Sequence, residues 1–299
     1  LKILITGANG LLGQHLIKLL LDDGAYNIIA TGKGENRISF PVNDHFEYHT
    51  LDIIDETAVD EFIQKHQPDT IVHSAAMTQA DECELNQMKC WNVNVTATNF
   101  LINAAKKINA HFIYVSSCFV FDGLSGPYKE TDATGPVNYY GTSKLAAENA
   151  VLENLPGACI VRTILVYGNK WLQNRSNIVS WVKDNLEKQQ KIKVVTDQWR
   201  TPTYVDDLAA GVLLAIKNSA KGIYHISGEE MMTPYDMAIA VADHCNLDRT
   251  LIEKVTADTF TQPAKRPAIT GFIIDKAKKD LGYEPVSFAE GLKLMLNKQ

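Results

Sequence analysis

Tyr140 and Lys144 stand four residues apart in Tyr140-Gly141-Thr142-Ser143-Lys144, at the point where the chain turns helical. Positions i and i+4 share a helix face, so the ammonium can lower the phenol from its free pKa of about 10. A tyrosine tuned in this way passes a proton to a carbonyl oxygen near neutral pH. The pair is a common pattern, and its meaning depends on what surrounds it.

A second chemical element lies at the start of the chain. The run Thr6-Gly7-Ala8-Asn9-Gly10-Leu11-Leu12-Gly13 follows a short apolar strand and opens a helix. Gly7 and Gly10 let the backbone turn tightly and approach a pyrophosphate. Gly13 allows helix and strand to pack closely, and the first amides of the helix face the anion. The stretch is expected to bind a dinucleotide.

These groups need a scaffold, and the hydrophobic pattern supplies one. Strands are predicted at Lys2–Thr6, Asn27–Thr31, Phe46–Leu51, Thr70–His73, His111–Ser116 and Ala158–Thr163, alternating with helices at Leu11–Leu21, Glu56–His66, Asn92–Ile108 and Tyr139–Glu153. That rhythm implies an α/β fold, a Rossmann-type doubly wound parallel sheet with both faces covered. After Thr163 it loosens into helices at Asn177–Gln189, Val205–Asn218, Thr233–His244 and Phe288–Asn297, with short strands and proline-bearing turns between them. The expected division is a dinucleotide-binding domain over residues 1–165, with 200–226 returning to it, and a smaller C-terminal substrate-binding lobe over 166–299. The loop Phe121–Pro136, rich in Gly, Asp and Pro, is expected to form a mobile edge of the active site.

Composition excludes several classes. With 299 residues, 45% hydrophobic and 21% charged, the chain has the make-up of a globular protein with a sizeable core. A net charge of -6 gives no reason to expect nucleic acid. No apolar run approaches the roughly 18 residues of a membrane span, and the opening Leu1–Thr6 is too short for a signal peptide. The expectation is a cytoplasmic protein. Five scattered cysteines show no Cys-x-x-Cys pair and eight histidines show no ligand spacing, so no disulfide framework and no metal are expected. Dimerisation is left open.

With its Gly-x-x-Gly-x-x-Gly spacing, the chain resembles the extended short-chain dehydrogenase/reductase family along nearly its whole length. The resemblance implies roles residue by residue. Gly7, Asn9, Gly10, Leu11, Leu12, Gly13 and Thr31 would line the dinucleotide. Asp52 and Ile53 match the adenine position, and Ala75, Ala76, Met77 and Thr78 follow His73-Ser74, where the family has Asn-Ala-Ala-Ala beside the ribose and pyrophosphate. Asn94 matches an asparagine that supports the active-site lysine, Ser117 brings the active-site hydroxyl, and Tyr140 with Lys144 completes the catalytic set and reaches the cofactor.

The end of the second strand carries no Asp or Glu where an NAD enzyme holds both ribose hydroxyls. Lys33 and Arg37 are there to meet a 2'-phosphate, so NADP (as NADPH) is the expected cofactor and NAD the alternative.

The segment Asp197-Gln198-Trp199-Arg200-Thr201-Pro202-Thr203-Tyr204-Val205-Asp206-Asp207-Leu208-Ala209 is similar to that of dTDP-4-dehydrorhamnose reductases, which implies a nucleotide-sugar substrate. Arg200 and Arg266 fall where sugar-nucleotide epimerases of the wider family hold a diphosphate. Three departures bear on the substrate: Cys118 replaces the usual Asp after the hydroxyl, Ser117 replaces the usual Thr as the hydroxyl itself, and Leu165 replaces a tryptophan that packs on the sugar. Cys118 is expected to pack or to line the substrate. Cys118 and Phe119 also occupy the Asp and Glu places of a 4,6-dehydratase, which excludes that elimination. The leading expectation is NADPH-dependent reduction of a 4-keto nucleotide-sugar. The alternatives are an epimerase with tightly bound NAD, supported by Arg200, and a non-catalytic NADP-binding subunit. The last resembles the regulatory β subunit of methionine adenosyltransferase, notably over Gly222–Ala240.

Overall fold

Strand β1 (Lys2–Thr6) is apolar on both faces and lies inside a seven-stranded parallel sheet. The computed structural model describes residues 1–169 and 177–296. Its sheet is ordered β10-β6-β5-β4-β1-β2-β3. The other strands are β2 (Asn27–Gly32), β3 (Phe46–Thr50), β4 (Thr70–His73), β5 (His111–Ser117), β6 (Cys159–Thr163) and, further along the chain, β10 (Gly222–His225). Chain direction across the sheet reverses between β1 and β4. In sheets of this kind that crevice, at the carboxyl ends of the strands, receives the ligand.

Each sheet face carries its own core. One buries α1 (Leu11–Asp23), α8 (Val205–Lys217) and α10 (Asp275–Leu281). The other buries α2 (Glu56–His66), α5 (Ala97–Ile108) and α6 (Tyr139–Asn154). A third core forms the second lobe, from α7 (Ile178–Glu187), α9 (Pro234–His244) and α11 (Phe288–Leu296) with β8 (Ile192–Val195) and β11 (Ile252–Val255). The remaining elements, α3 (Ala80–Leu85), α4 (Gln87–Trp91), β7 (Val166–Tyr167) and β9 (Thr203–Tyr204), connect these layers. The Asn297 end of the last expected helix lies outside the described residues.

Two expectations change. The helix expected over Asn92–Ile108 begins earlier, as α4, and passes through a single π-turn at Asn92–Thr96 before α5. The wider turn sets Asn94 facing inward, and such turns recur at functional sites. The loop Phe121–Pro136 is not a free edge. Tyr128 stacks on buried Phe121 with centroids 4.2 Å apart, its N–H donates to the Gly271 carbonyl at 2.8 Å, and Glu130 accepts the His225 N–H at 3.0 Å. Burial of two aromatic rings sews this loop into the body of the protein.

Candidate active site

The glycine turn is shaped for close approach of an anion. Gly7 has φ +74°, and a Cβ there would lie 2.7 Å from the Ala75 nitrogen. A Cβ on Gly13 would lie 2.5 Å from the Gly7 carbonyl oxygen. Helix α1 starts after Gly10 with no side-chain cap and no acid in its first turn, so its first amides and the positive end of its dipole are unopposed. These features fit a dinucleotide pyrophosphate. Leu11 and Leu12, half-buried, form the first turn of that helix.

Asn9 works on the protein itself. Its amide donates to the Glu35 carbonyl at 3.0 Å and to the Tyr48 hydroxyl at 2.9 Å, and its Oδ1 accepts the Arg37 N–H at 3.0 Å. It therefore fixes the turn that presents Lys33 and Arg37, both exposed. Lys33 pairs with Asp52 at 2.8 Å, which links the β2 turn to the segment expected at the adenine, next to buried Ile53. The Thr31 hydroxyl is buried and donates to the Ile5 carbonyl at 3.2 Å, so its part is in strand pairing. His73 is also locked inside, between the Thr6 and Thr98 hydroxyls at 2.7 and 3.0 Å. Burial holds it at about 3, neutral at any working pH.

Asn94 braces the same crevice. Its Oδ1 accepts the Met77 N–H at 2.8 Å, while its Nδ2 donates to the Met77 carbonyl and to the Ser143 hydroxyl, each at 3.0 Å. That pairing fixes the run Ala75-Ala76-Met77, half-buried at the end of β4, and the exposed Thr78 that follows. Asn94 thereby couples the β4 turn to α6 one residue before Lys144.

Helix α6 brings Tyr140 to β5. Asn138 caps it by accepting the Gly141 N–H at 2.9 Å, and a Cβ on Gly141 would lie 2.1 Å from the Phe119 carbonyl oxygen. Glycine here lets the helix start press against the turn after Ser117. Ser117 ends β5 and hydrogen-bonds with Tyr140. Lys144 shares the buried face of α6, donates to the Val115 carbonyl at 2.7 Å and lies 4.1 Å above the Tyr114 ring.

The electrostatics depart from the simple picture of a lysine pulling a tyrosine down. Tyr140 is only 7% exposed, and burial raises its phenol above the ordinary tyrosine value while the Ser117 hydrogen bond opposes the shift. The same burial drives Lys144 down to about 7, partly offset by Glu148. Desolvation is the largest cause of both shifts. Tyr140 is thus a fully protonated donor at neutral pH, and Lys144 is poised between its two charge states.

Three residues expected at the substrate have partners within the protein. Arg200 is buried and satisfied: Nη1 donates to the Trp199 and Ala268 carbonyls and Nη2 to the Pro267 carbonyl, all at 2.7 Å, with Gln198 at 3.2 Å. A guanidinium desolvated in this way must spend its donors on internal acceptors, so here it clamps two chain segments. Arg266 is likewise committed, to Asp81 and to the Ala264 carbonyl. Cys118 is 1% exposed and packs in the core, with its thiol raised by burial. Leu165 stands differently. It lies two residues beyond Thr163, the register partner of Ser117, is 37% exposed and has φ +40°, a backbone state that costs a branched apolar residue free energy.

Asp81, Asn138 and Ser143 escaped the sequence reading. An Asn just before the helical run at Tyr139 was a readable cap signal, whereas Asp81 depends on a partner 185 residues away.

The whole chain, residues 1–299, matches the model of the RmlD substrate binding domain. The chain belongs to that family. It is 32% identical over 304 residues to the dTDP-4-dehydrorhamnose reductase of Aggregatibacter actinomycetemcomitans, covering 98% of this chain and 97% of the relative. It is 37% identical over 262 residues to methionine adenosyltransferase 2 subunit beta of Xenopus tropicalis, covering 85% of this chain and 75% of the relative. Among solved structures, the dTDP-4-dehydrorhamnose reductase of Bacillus anthracis in complex with NADP superimposes with a TM-score of 0.87 at 27% identity, over 100% of this chain and 99% of that one. No described helix is long and apolar enough to cross a membrane.

Proposed function

We propose that this RmlD-family protein reduces the 4-keto group of a nucleotide-sugar with NADPH, in the manner of dTDP-4-dehydrorhamnose reductases. The observation that carries this reading is the meeting of Ser117, Tyr140 and Lys144 at the end of β5, within the same crevice as the glycine turn of Gly7, Gly10 and Gly13.

When bound, the reduced nicotinamide supplies a hydride to the carbonyl carbon. Tyr140 donates its phenolic proton to the carbonyl oxygen, and Ser117 hydrogen-bonds that oxygen and holds the phenol in line. Lys144, in its charged form, stabilises the phenolate left behind. Lys33 and Arg37 supply positive charge for a 2'-phosphate, and Leu165 offers an apolar surface for the sugar. The residues 1–165 with 200–226 act as the dinucleotide-binding part, the remainder mainly as the substrate lobe. The five free cysteines fit a reducing, cytoplasmic setting.

The epimerase reading loses its main support, because Arg200 is occupied by main-chain carbonyls. The regulatory-subunit reading is favoured by the 37% identity to the methionine adenosyltransferase subunit. NADPH consumption across a panel of 4-keto nucleotide-sugars decides between them. Turnover on one of them, abolished in Tyr140→Phe, supports the reductase. NADPH binding with no turnover, together with co-purification of a synthetase, would replace it with the regulatory reading.

A further inference from the structure

The eight histidines are scattered in sequence, yet the fold gathers two of them with a glutamate on the outer edge of the sheet. Glu47 and His49 are two apart on β3 and so point to the same face of that edge strand. Helix α2 packs on this face and ends at His66. One ligand atom from each of Glu47, His49 and His66 can be chosen so that all three lie within 4.8 Å of one another.

The rings are held in place. His66 stacks on Phe62 at 4.2 Å, and His49 meets Phe62 edge-on at 5.2 Å and His66 at 4.9 Å. Glu47 Oε2 lies 3.1 Å from His49 Nε2. Lys2 donates to the His66 carbonyl at 2.7 Å, which fixes the end of the helix. One phenyl ring therefore orients both imidazoles, as a pre-set pair of ligands requires.

We propose that Glu47, His49 and His66 bind a divalent transition-metal ion of the Zn2+ class and clip edge strand β3 to the end of α2. Two imidazoles and one carboxylate suit such an ion and not Ca2+ or Mg2+, which prefer oxygen. Bonds of about 2.0–2.2 Å set tetrahedral ligand atoms roughly 3.3–3.6 Å apart, between the 3.1 Å of the Glu47–His49 contact and the 4.8 Å span of the group. Glu47, with a side chain 62% exposed, is free to swing in and close the tripod. The fourth position is left to water.

The test uses the full chain, dialysed against a chelator and titrated with ZnCl2 by calorimetry. A single equivalent should bind with a dissociation constant of about micromolar or lower. His49→Gln and His66→Gln should each weaken binding about tenfold or more, Cys245→Ser should not, and MgCl2 should give no heat. In the unaltered protein, Zn2+ should protect His49 and His66, but not exposed His45, from diethylpyrocarbonate, so the result does not depend on a variant folding. Absence of stoichiometric binding would overturn the proposal, as would full affinity in both His49→Gln and His66→Gln, or modification of His49 and His66 undiminished by Zn2+.

Discussion

Arg266 and Asp81 form a two-pronged ion pair, Nη1 to Oδ1 and Nη2 to Oδ2 each at 2.7 Å, that fastens the stretch before Pro267 to helix α3. The Ala264 N–H reaches the same carboxylate at 3.0 Å, and Asn138, the cap of the Tyr140 helix, donates to the Lys265 carbonyl at 2.7 Å. Ala264 packs in one cluster with Tyr140. The pair therefore holds a strap against Tyr140. Arg266 holds the Asp81 carboxyl below its ordinary range, so the pair persists at neutral pH and is lost as pH falls through that lowered value.

Asp81→Asn should cost about 1 kcal/mol in urea unfolding, the upper end for a part-exposed pair. It should also raise KM for the nucleotide-sugar, because the strap next to Tyr140 loosens. Unchanged stability combined with unchanged KM would show that the strap needs no anchor.

Tyr140→Phe removes the proton donor and keeps the ring in its pocket. Turnover should fall by about a hundredfold to ten-thousandfold, with NADPH affinity by fluorescence titration within about twofold of wild type. Near-normal turnover would mean that another group delivers the proton.

The buried Lys144 should leave a signature in stability against pH. Its folded value of about 7 lies below the unfolded value of 10.5, so the unfolded chain binds more protons between the two. Stability relative to Lys144→Met should therefore rise with pH across that window, by at most about 1.4 kcal/mol per unit. Denaturant titrations between pH 7 and 9.5 test this, below the range where Tyr140 enters. In the reductive direction kcat/KM should fall as pH rises through about 7, where the ammonium is lost. A flat profile would separate Lys144 from the proton transfer.

At the glycine turn, Gly7→Ala places a methyl 2.7 Å from the Ala75 nitrogen at a positive φ. Binding of NADPH should weaken about a hundredfold or more, since two backbone segments must part to admit it. Lys33→Ala with Arg37→Ala should weaken NADPH about tenfold while sparing NADH. An equal loss for both cofactors would take the 2'-phosphate away from these residues.

The sequence by itself determined the elements whose cause is local. Alternating apolar runs produced the sheet, the glycine spacing produced a turn that has no room for a side chain at Gly7 or Gly13, and the Tyr140–Lys144 interval placed both side chains on one helical face. Short-range periodicity and backbone sterics suffice for these. What only the tertiary structure decided were the partners of charged groups. Arg200 and Arg266 read as diphosphate forks because their types suit that task, but a buried guanidinium takes whichever acceptors the fold brings, here the 267–268 carbonyls and Asp81. Burial, also invisible in sequence, reversed the expected direction of the Tyr140 shift and closed off Cys118. It took the packing of α2 on β3 to bring His66 to His49, seventeen residues away along the chain, because proximity across an edge strand is set by how layers stack and not by spacing.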